Sequence, residues 1–275
     1  MKFQKLILGM LLSLFIVSCS KDDASSNSDL SDAKANTKMD AVTDDIAKVI
    51  DDQFSTQFGP SGKSSETVQT FLPECASVTV AITATTWTRT VVFTNCTLPN
   101  GNVLDGTIII SGSTNASLPS HTISYSFVDF HHNNILVEGN RTVVRSLQST
   151  ATLEALHPVA TMSIDMTFTF PNGNSYHRVG NRVREMIQGF LTPNVWQDNV
   201  FSISGSWSTT STNGSQSSTI TTPLIVRMNC PHIVSGVVTI VRNGNTATLD
   251  YGDGECDNQA TLTVNGNTST ITLGN

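Results

Sequence analysis

Four carboxylates lie within eight residues near the C-terminus, where they could bind a metal ion. Asp250, Asp253, Glu255 and Asp257 are interspersed with glycine, and Ca²⁺ prefers hard oxygen ligands in a turn that contains glycine. Their spacing differs from that of an EF-hand loop, and Cys256 among them is a candidate for a disulfide bond. The alternative is a polar hairpin end beside that disulfide. The sequence requires no cofactor, and Ca²⁺ is the metal that this turn could bind.

A second group combines arginine with aromatic residues. Tyr176, Arg178, Arg182 and Arg184 are separated by even numbers of residues, so they share one face if the segment is a strand. Because arginine binds carboxylates bidentately, such a row could bind an anionic glycan, with Trp207 as a stacking surface. The alternatives are a solvent-facing row paired with acids on neighbouring strands, and burial of Trp207 in the core.

Signatures of catalysis are absent from the sequence. It contains no Gly-x-Ser-x-Gly, no His-Glu-x-x-His and no phosphate-binding glycine loop. His131 and His132 have no third ligand at a recognisable metal spacing. Because a carboxylate pair for glycoside hydrolysis leaves no spacing signature, a carbohydrate-active hydrolase on a β scaffold remains the alternative to a non-enzymatic protein.

The N-terminus has the features of an export signal. Lys2 and Lys5 precede an uncharged run at residues 6–17. This run is too short for a bilayer-spanning helix, which needs about 20 residues, so it predicts a cleaved signal peptide at 1–18. The segment Ile16-Val17-Ser18-Cys19 resembles the bacterial lipobox. The resemblance implies that Cys19 becomes the first residue and carries acyl chains, which anchor the protein stably.

The residues after Cys19 suggest where the protein goes. Ser20-Lys21-Asp22-Asp23 resembles the acidic export signal of Bacteroidota lipoproteins. That resemblance implies an outer-membrane lipoprotein that faces the cell surface, whereas the alternative is a solvated linker. Its partner is then the membrane, through the lipid anchor.

The four remaining cysteines suggest disulfides, because the protein is exported. Three pairings are possible. Cys75–Cys96 and Cys230–Cys256 are preferred, since each would join the strands of a local hairpin; the spacing is too wide for a typical zinc site.

The elements that must position these residues follow in order. Residues 19–36 are small and polar and predict a flexible tether. Residues 37–58 carry an apolar stripe at helical spacing, with Gly59-Pro60 as the stop. The stripe predicts an amphipathic helix packed on the following domain, although a helix that binds a partner or lies on the membrane is the alternative.

Residues 70–275 change to a period of two. Alternation of apolar and polar residues at 162–170 is typical of antiparallel strands with one buried face. Five Asn-Gly pairs are typical of hairpin turns; they are at 100–101, 172–173, 213–214, 243–244 and 265–266. The prediction is an all-β meander of about twelve strands, closed as a barrel or folded as a sandwich.

The net charge of the chain limits the kinds of partner that it is expected to bind. The chain has 15 basic and 22 acidic residues, and losing two lysines with the signal makes it more acidic. This acidic balance disfavours nucleic acid as a binding partner. The C-terminal pattern from Asp250 to Asp257, with the early helix, resembles uncharacterised β-rich Bacteroidota lipoproteins. The sequence therefore predicts a surface module that binds glycan or another envelope component, or that is purely structural.

Overall fold

One helix precedes thirteen antiparallel strands in the computed structural model, which describes residues 22–58, 71–192 and 195–274. Side chains are described from residue 31 onward. The predicted signal peptide and the lipid-attachment residue Cys19 lie outside the described residues. The predicted fold class, antiparallel β with one N-terminal helix, is confirmed.

Each strand pairs with its neighbours in the chain, so the sheet is one continuous meander. The helix is α1 (Asp22–Phe58), and a short 3₁₀ turn covers Trp196–Asp198. The strands are β1 (Ser77–Ile82), β2 (Thr86–Thr97), β3 (Val103–Ser113), β4 (Ser120–His132), β5 (Ile135–Gln148), β6 (His157–Thr169), β7 (Ser175–Gln188), β8 (Val200–Ser211), β9 (Gly214–Arg227), β10 (Ile233–Arg242), β11 (Asn245–Asp253), β12 (Gln259–Val264) and β13 (Asn267–Thr272).

The sheet is open. Strands β1 and β13 each pair on one side only and do not pair with each other. Of the two closures expected from the sequence, the closed barrel is therefore wrong. An open sheet or a sandwich-like arrangement fits the strand order.

Local sequence explains the strands and their turns. Along β6, buried Met162, Ile164, Met166 and Phe168 alternate with solvent-facing polar residues. The Asn-Gly pairs lie at hairpin ends, and at Asn243-Gly244 both residues have positive φ, 48° and 81°. Two successive positive φ angles are what a type I′ turn requires.

β-Bulges bend the strands around the helix. One bulge lies between Ile203 and Ser206 in β8, where Gly205 has φ 137°. A Cβ added at Gly205 would lie 2.3 Å from the carbonyl oxygen of Asn181. Glycine is therefore needed at this position. Because bulges increase local bending and twist, they allow one sheet to curl.

Helix α1 lies against the inner face of this curled sheet. Its side chains contact strands as distant in the order as β2 and β11. The apolar stripe is buried at Met39, Val42 and Ile46, so the expected packing of the helix on its own domain is what the structure shows.

The helix start predicted at residue 37 is wrong. Helix α1 begins at Asp22, so most of the segment expected to be a flexible tether is helical. Ala33 and Ala35 are buried, and Asp32 forms an ion pair with Arg242 of β10. These contacts stabilise the N-terminal part of the helix, which the polar composition alone does not predict.

Two disulfides join neighbouring segments, as the sequence predicted. Cys75, two residues before β1, is bonded to Cys96 near the end of β2, and Cys230, three residues before β10, is bonded to Cys256, three residues after β11. Within the described ranges, no helix is long and apolar enough to cross a membrane.

Candidate functional site at the helix–sheet interface

The arginine row of β7 points inward, toward the helix. Arg178 donates a hydrogen bond from Nη1 to Asp40 Oδ1 at 2.7 Å, and Arg182 donates from Nη2 to the same oxygen at 2.6 Å. Arg178 also donates to Asn36 Oδ1 at 2.9 Å. All four side chains are at most 2% exposed. This row is neither a solvent-facing row nor an accessible ligand site in this conformation.

Asp40 is the centre of this cluster. Its second oxygen, Oδ2, accepts a hydrogen bond from the Tyr251 hydroxyl of β11 at 2.7 Å. Burial alone would raise the pKa of Asp40, but Arg182 and Arg178 outweigh it and hold that pKa below its ordinary value. For Tyr251, burial and the Asp40 carboxylate raise the pKa well above its ordinary value. Asp40 is therefore a buried carboxylate ion held between two strands.

A second cluster lies one helical turn further along. Arg184 of β7 pairs with Asp44, and Lys48 lies 2.9 Å from Asp44 and 3.3 Å from Asp45. Burial lowers the pKa of Lys48, but Asp44 and Asp45 outweigh this and raise it. Lys48 thus partly neutralises the two adjacent aspartates, Asp44 and Asp45, on the same helix.

Aromatic rings flank the arginines. The guanidinium of Arg182 lies 4.2 Å from the ring centre of Trp207, and that of Arg178 lies 4.8 Å from it. Arg184 stacks on Phe201 at 3.7 Å. Such contacts stabilise a desolvated cation by roughly 2 kcal/mol. Trp207 is therefore a buried partner of the arginines, as the core alternative expected.

The opposite side of the helix is held by amides and a histidine. Asp45 accepts hydrogen bonds from Asn100 and Asn102, both at 2.7 Å, and lies 2.9 Å from His132 Nε2. Burial opposes the charge of Asp45, but Lys48 and His132 outweigh it and hold its pKa far below the ordinary value. His132 therefore anchors the helix through Nε2, while its buried Nδ1 has no hydrogen-bond partner among the described residues.

Arg141 of β5 differs from the other inner arginines. It is 2% exposed and donates one hydrogen bond, from Nη1 to the Tyr125 hydroxyl at 3.2 Å. Its Nε and Nη2 atoms have no hydrogen-bond partner in the described structure. No carboxylate among the described residues lies within ion-pair distance of it.

Little space remains inside the sheet. A cavity of about 20 Å³ lies beside Asp32, Ala33 and Arg242, which is room for roughly one water molecule. Among the described residues, the cluster can position the helix and neutralise charge, because its side chains are paired with one another.

The acidic turn near the C-terminus is placed differently. Asp250 Oδ1 accepts a hydrogen bond from the backbone N–H of Gly252, and Asp257 Oδ1 accepts one from Gln259, both at 2.9 Å. Asp253 and Glu255 are exposed. Across the described ranges, no group of three or more histidine, cysteine, aspartate or glutamate side chains is arranged to hold a metal ion. Binding of Ca²⁺ here stays a prediction.

The outer face carries a feature that the sequence alone did not reveal. A single row of directly opposed side chains crosses the sheet, with one hydroxyl or amide residue on each strand from β2 to β13. This hydroxyl row consists of Thr88, Ser111, Ser124, Thr142, Ser163, Asn181, Ser206, Thr219, Thr239, Thr248, Thr263 and Thr268. All are exposed or half-buried, and none is charged. The sequence alone could not identify this row, because only the register of each strand pair places these residues opposite one another.

No protein-family model, curated protein or solved structure matches this chain.

Proposed function

We propose that this protein is a surface-exposed lipoprotein of the outer membrane that acts as a non-enzymatic binding or structural module of the cell envelope. Its contacts with envelope material are made by the outer face of the sheet. The observation that carries this proposal is the division between the two faces: the inner face is occupied by α1, and the outer face presents the hydroxyl row.

The chemistry of the outer face indicates the kind of partner. Hydroxyl and amide groups donate and accept hydrogen bonds without charge, so they suit a neutral, hydroxyl-rich polymer such as an envelope polysaccharide. Neighbouring strands lie about 4.8 Å apart, so the row gives repeated, evenly spaced contacts. The acidic net charge of −7 makes an anionic polymer a poorer partner.

Support for the anchor comes from the N-terminal sequence and from the disulfides. The segment ending at Cys19 resembles a lipobox, and two disulfides fit an oxidising compartment. Cells expressing the Cys19→Ala variant should lose incorporation of a clickable fatty acid into this protein. Protease added to intact cells should degrade the native form. Label retained by the variant, or full protection from protease, would contradict the anchor or its orientation.

The binding face is tested with row variants of the mature chain. Native protein should co-sediment with isolated, protein-free envelope polysaccharide, and Ser124→Lys with Ser206→Lys should weaken binding about tenfold or more, roughly 1.4 kcal/mol. Ser117→Lys, in an exposed loop outside the row, is the matched control. Absence of binding by the native chain, or equal binding by all three forms, would refute a binding role for the outer face.

A further inference from the structure

Strand β1 forms one edge of the open sheet and is exposed along its whole length. Its six residues are all exposed, and among the described strands it pairs only with β2. An unpaired strand edge presents a row of free N–H and C=O groups, which proteins commonly protect with lysine, proline, a bulge or a covering element. Strand β1 has none of the first three: its sequence is SVTVAI, and its register with β2 is unbroken.

The inner face of β1 is also apolar and partly exposed. Val78, Val80 and Ile82 are directly opposite Val91, Arg89 and Trp87 of β2, so they belong to the face that is buried elsewhere. They are nevertheless 38%, 44% and 64% exposed, whereas Val91 and Trp87 are fully buried. The buried inner face therefore ends abruptly at the sheet edge, with three apolar side chains in a row.

We propose that this edge pairs with the same edge of a second copy of the chain, as an antiparallel β1–β1′ contact about a two-fold axis. With Val80 opposite Val80 of the second copy, Val78 lies opposite the second copy's Ile82. By symmetry, Ile82 lies opposite the second copy's Val78. All three apolar side chains then meet apolar side chains on one face. No charged residue lies on β1, so no like charges oppose one another at the axis.

The outer face supports the same register. In this pairing Ala81 falls opposite Thr79 of the second copy, and in each copy these residues lie opposite Thr88 and Thr90 of β2. The outer faces of the two copies thereby become continuous across the new pair, and none of the residues at this junction is charged. The other edge fits less well, because the residues of β13 on the inner face include polar Asn267 and Ser269 beside buried Ile271.

The size of the contact sets its strength. A six-residue strand pair buries roughly 300–400 Å² per partner, about half or less of the ~800 Å² in a typical stable interface. The dimer is therefore weak in solution. Confinement of both copies to one membrane raises their effective concentration and favours pairing without any new contact. The soluble association does not depend on the proposed anchor, so the two proposals can fail separately.

Cysteine cross-linking tests the register. Directly opposed residues in antiparallel strands have Cα atoms about 4.5–5.5 Å apart, which a disulfide can bridge. Val80→Cys should form a covalent dimer under mild oxidation, both in lipid vesicles and, at high concentration, in the Cys19→Ala chain. Thr79→Cys is the matched control on the same strand, because it faces Ala81 of the second copy; it should cross-link about tenfold less. A mixture of Val78→Cys and Ile82→Cys chains should cross-link to each other.

A charged substitution tests the same contact without covalent cross-linking. Val80→Lys should abolish the concentration-dependent dimer in analytical ultracentrifugation, whereas Val179→Lys should not. Val179 lies on β7 and has the same 44% exposure as Val80, so both variants should fold equally well, as checked by thermal melting. A monomer at all concentrations, cross-linking of Val80→Cys to Ser269→Cys of β13, or strong amide protection of β1 in a monomer would each overturn the proposal.

Discussion

Replacing Asp40 by asparagine should destabilise the protein severely, because this carboxylate balances two buried guanidinium groups. Arg178 and Arg182 are both within 2.7 Å of Asp40 Oδ1, and each is at most 2% exposed. Removing one partner of a buried ion pair typically costs 3–5 kcal/mol, because the remaining charge cannot return to water. Asparagine keeps the shape and a hydrogen-bond acceptor but removes the charge. We therefore expect a loss of about 4 kcal/mol in the free energy of unfolding.

That loss is large compared with the stability of a domain. Domains are usually stable by 5–15 kcal/mol, and for one of this size each kcal/mol corresponds to roughly 2–4 °C in Tm. Urea denaturation followed by tryptophan fluorescence measures the change directly, since Trp207 lies beside both arginines. Asp165→Asn is the matched control: its side chain is 72% exposed, and its loss should be within about 1 kcal/mol.

A compensating variant separates charge from packing. Combining Asp40→Leu with Arg178→Met and Arg182→Met removes the three buried charges of the cluster, and the triple variant should recover most of the stability that Asp40→Asn loses. The reasoning would be refuted by a folded Asp40→Asn variant that loses less than about 1 kcal/mol, since the arginines would then need no buried counter-charge.

The remaining predictions concern the stability of the protein in acid, the buried Arg141 and the Cys230–Cys256 disulfide. Because the folded-state pKa values of Asp40, Asp44 and Asp45 are lowered, their contribution is complete above the unfolded-state pKa of about 3.9 and is lost as pH falls below it; the urea midpoint should drop steeply there. A flat midpoint down to pH 2 would contradict this. Arg141→Met should raise stability by about 1–3 kcal/mol, because it removes two buried nitrogen donors, Nε and Nη2, that lack partners; a lower urea midpoint would show that the guanidinium has a favourable role. Replacing both cysteines of the Cys230–Cys256 pair by serine should lower stability by about 3.5 kcal/mol for its separation of 26 residues, and a non-reducing peptide map should recover that pair.

The sheet could be predicted well from the sequence because its signals are local. Alternation along β6 and Asn-Gly turns such as Asn243-Gly244 depend on neighbouring residues only. Both disulfides followed for the same reason, since each joins segments that are adjacent in the meander. The curling of the sheet depends on bulges such as that at Gly205, which no periodicity reveals.

The ion pairs between the helix and β7 could not be predicted, because they join residues more than a hundred positions apart in the chain. Asp40 and Asp44 lie on the polar side of the helical pattern, and that side normally faces solvent. They are buried because Arg178 and Arg184 approach from β7. A signal was present in retrospect: the acids of the helix and the evenly spaced arginines of the strand are complementary in charge and spacing.

Helix α1 has a mechanical consequence if the chain is anchored at Cys19. The helix begins only three residues beyond that position and continues into the interior of the domain. Tension between the membrane and anything held by the outer face would therefore act along the helix and through its ion pairs to β7 and β10. A flexible leader would absorb such a load by extension. From Asp22 to the centre of the fold the chain is one continuous helix, so resistance to pulling would depend on the same contacts that hold the helix against the curled sheet.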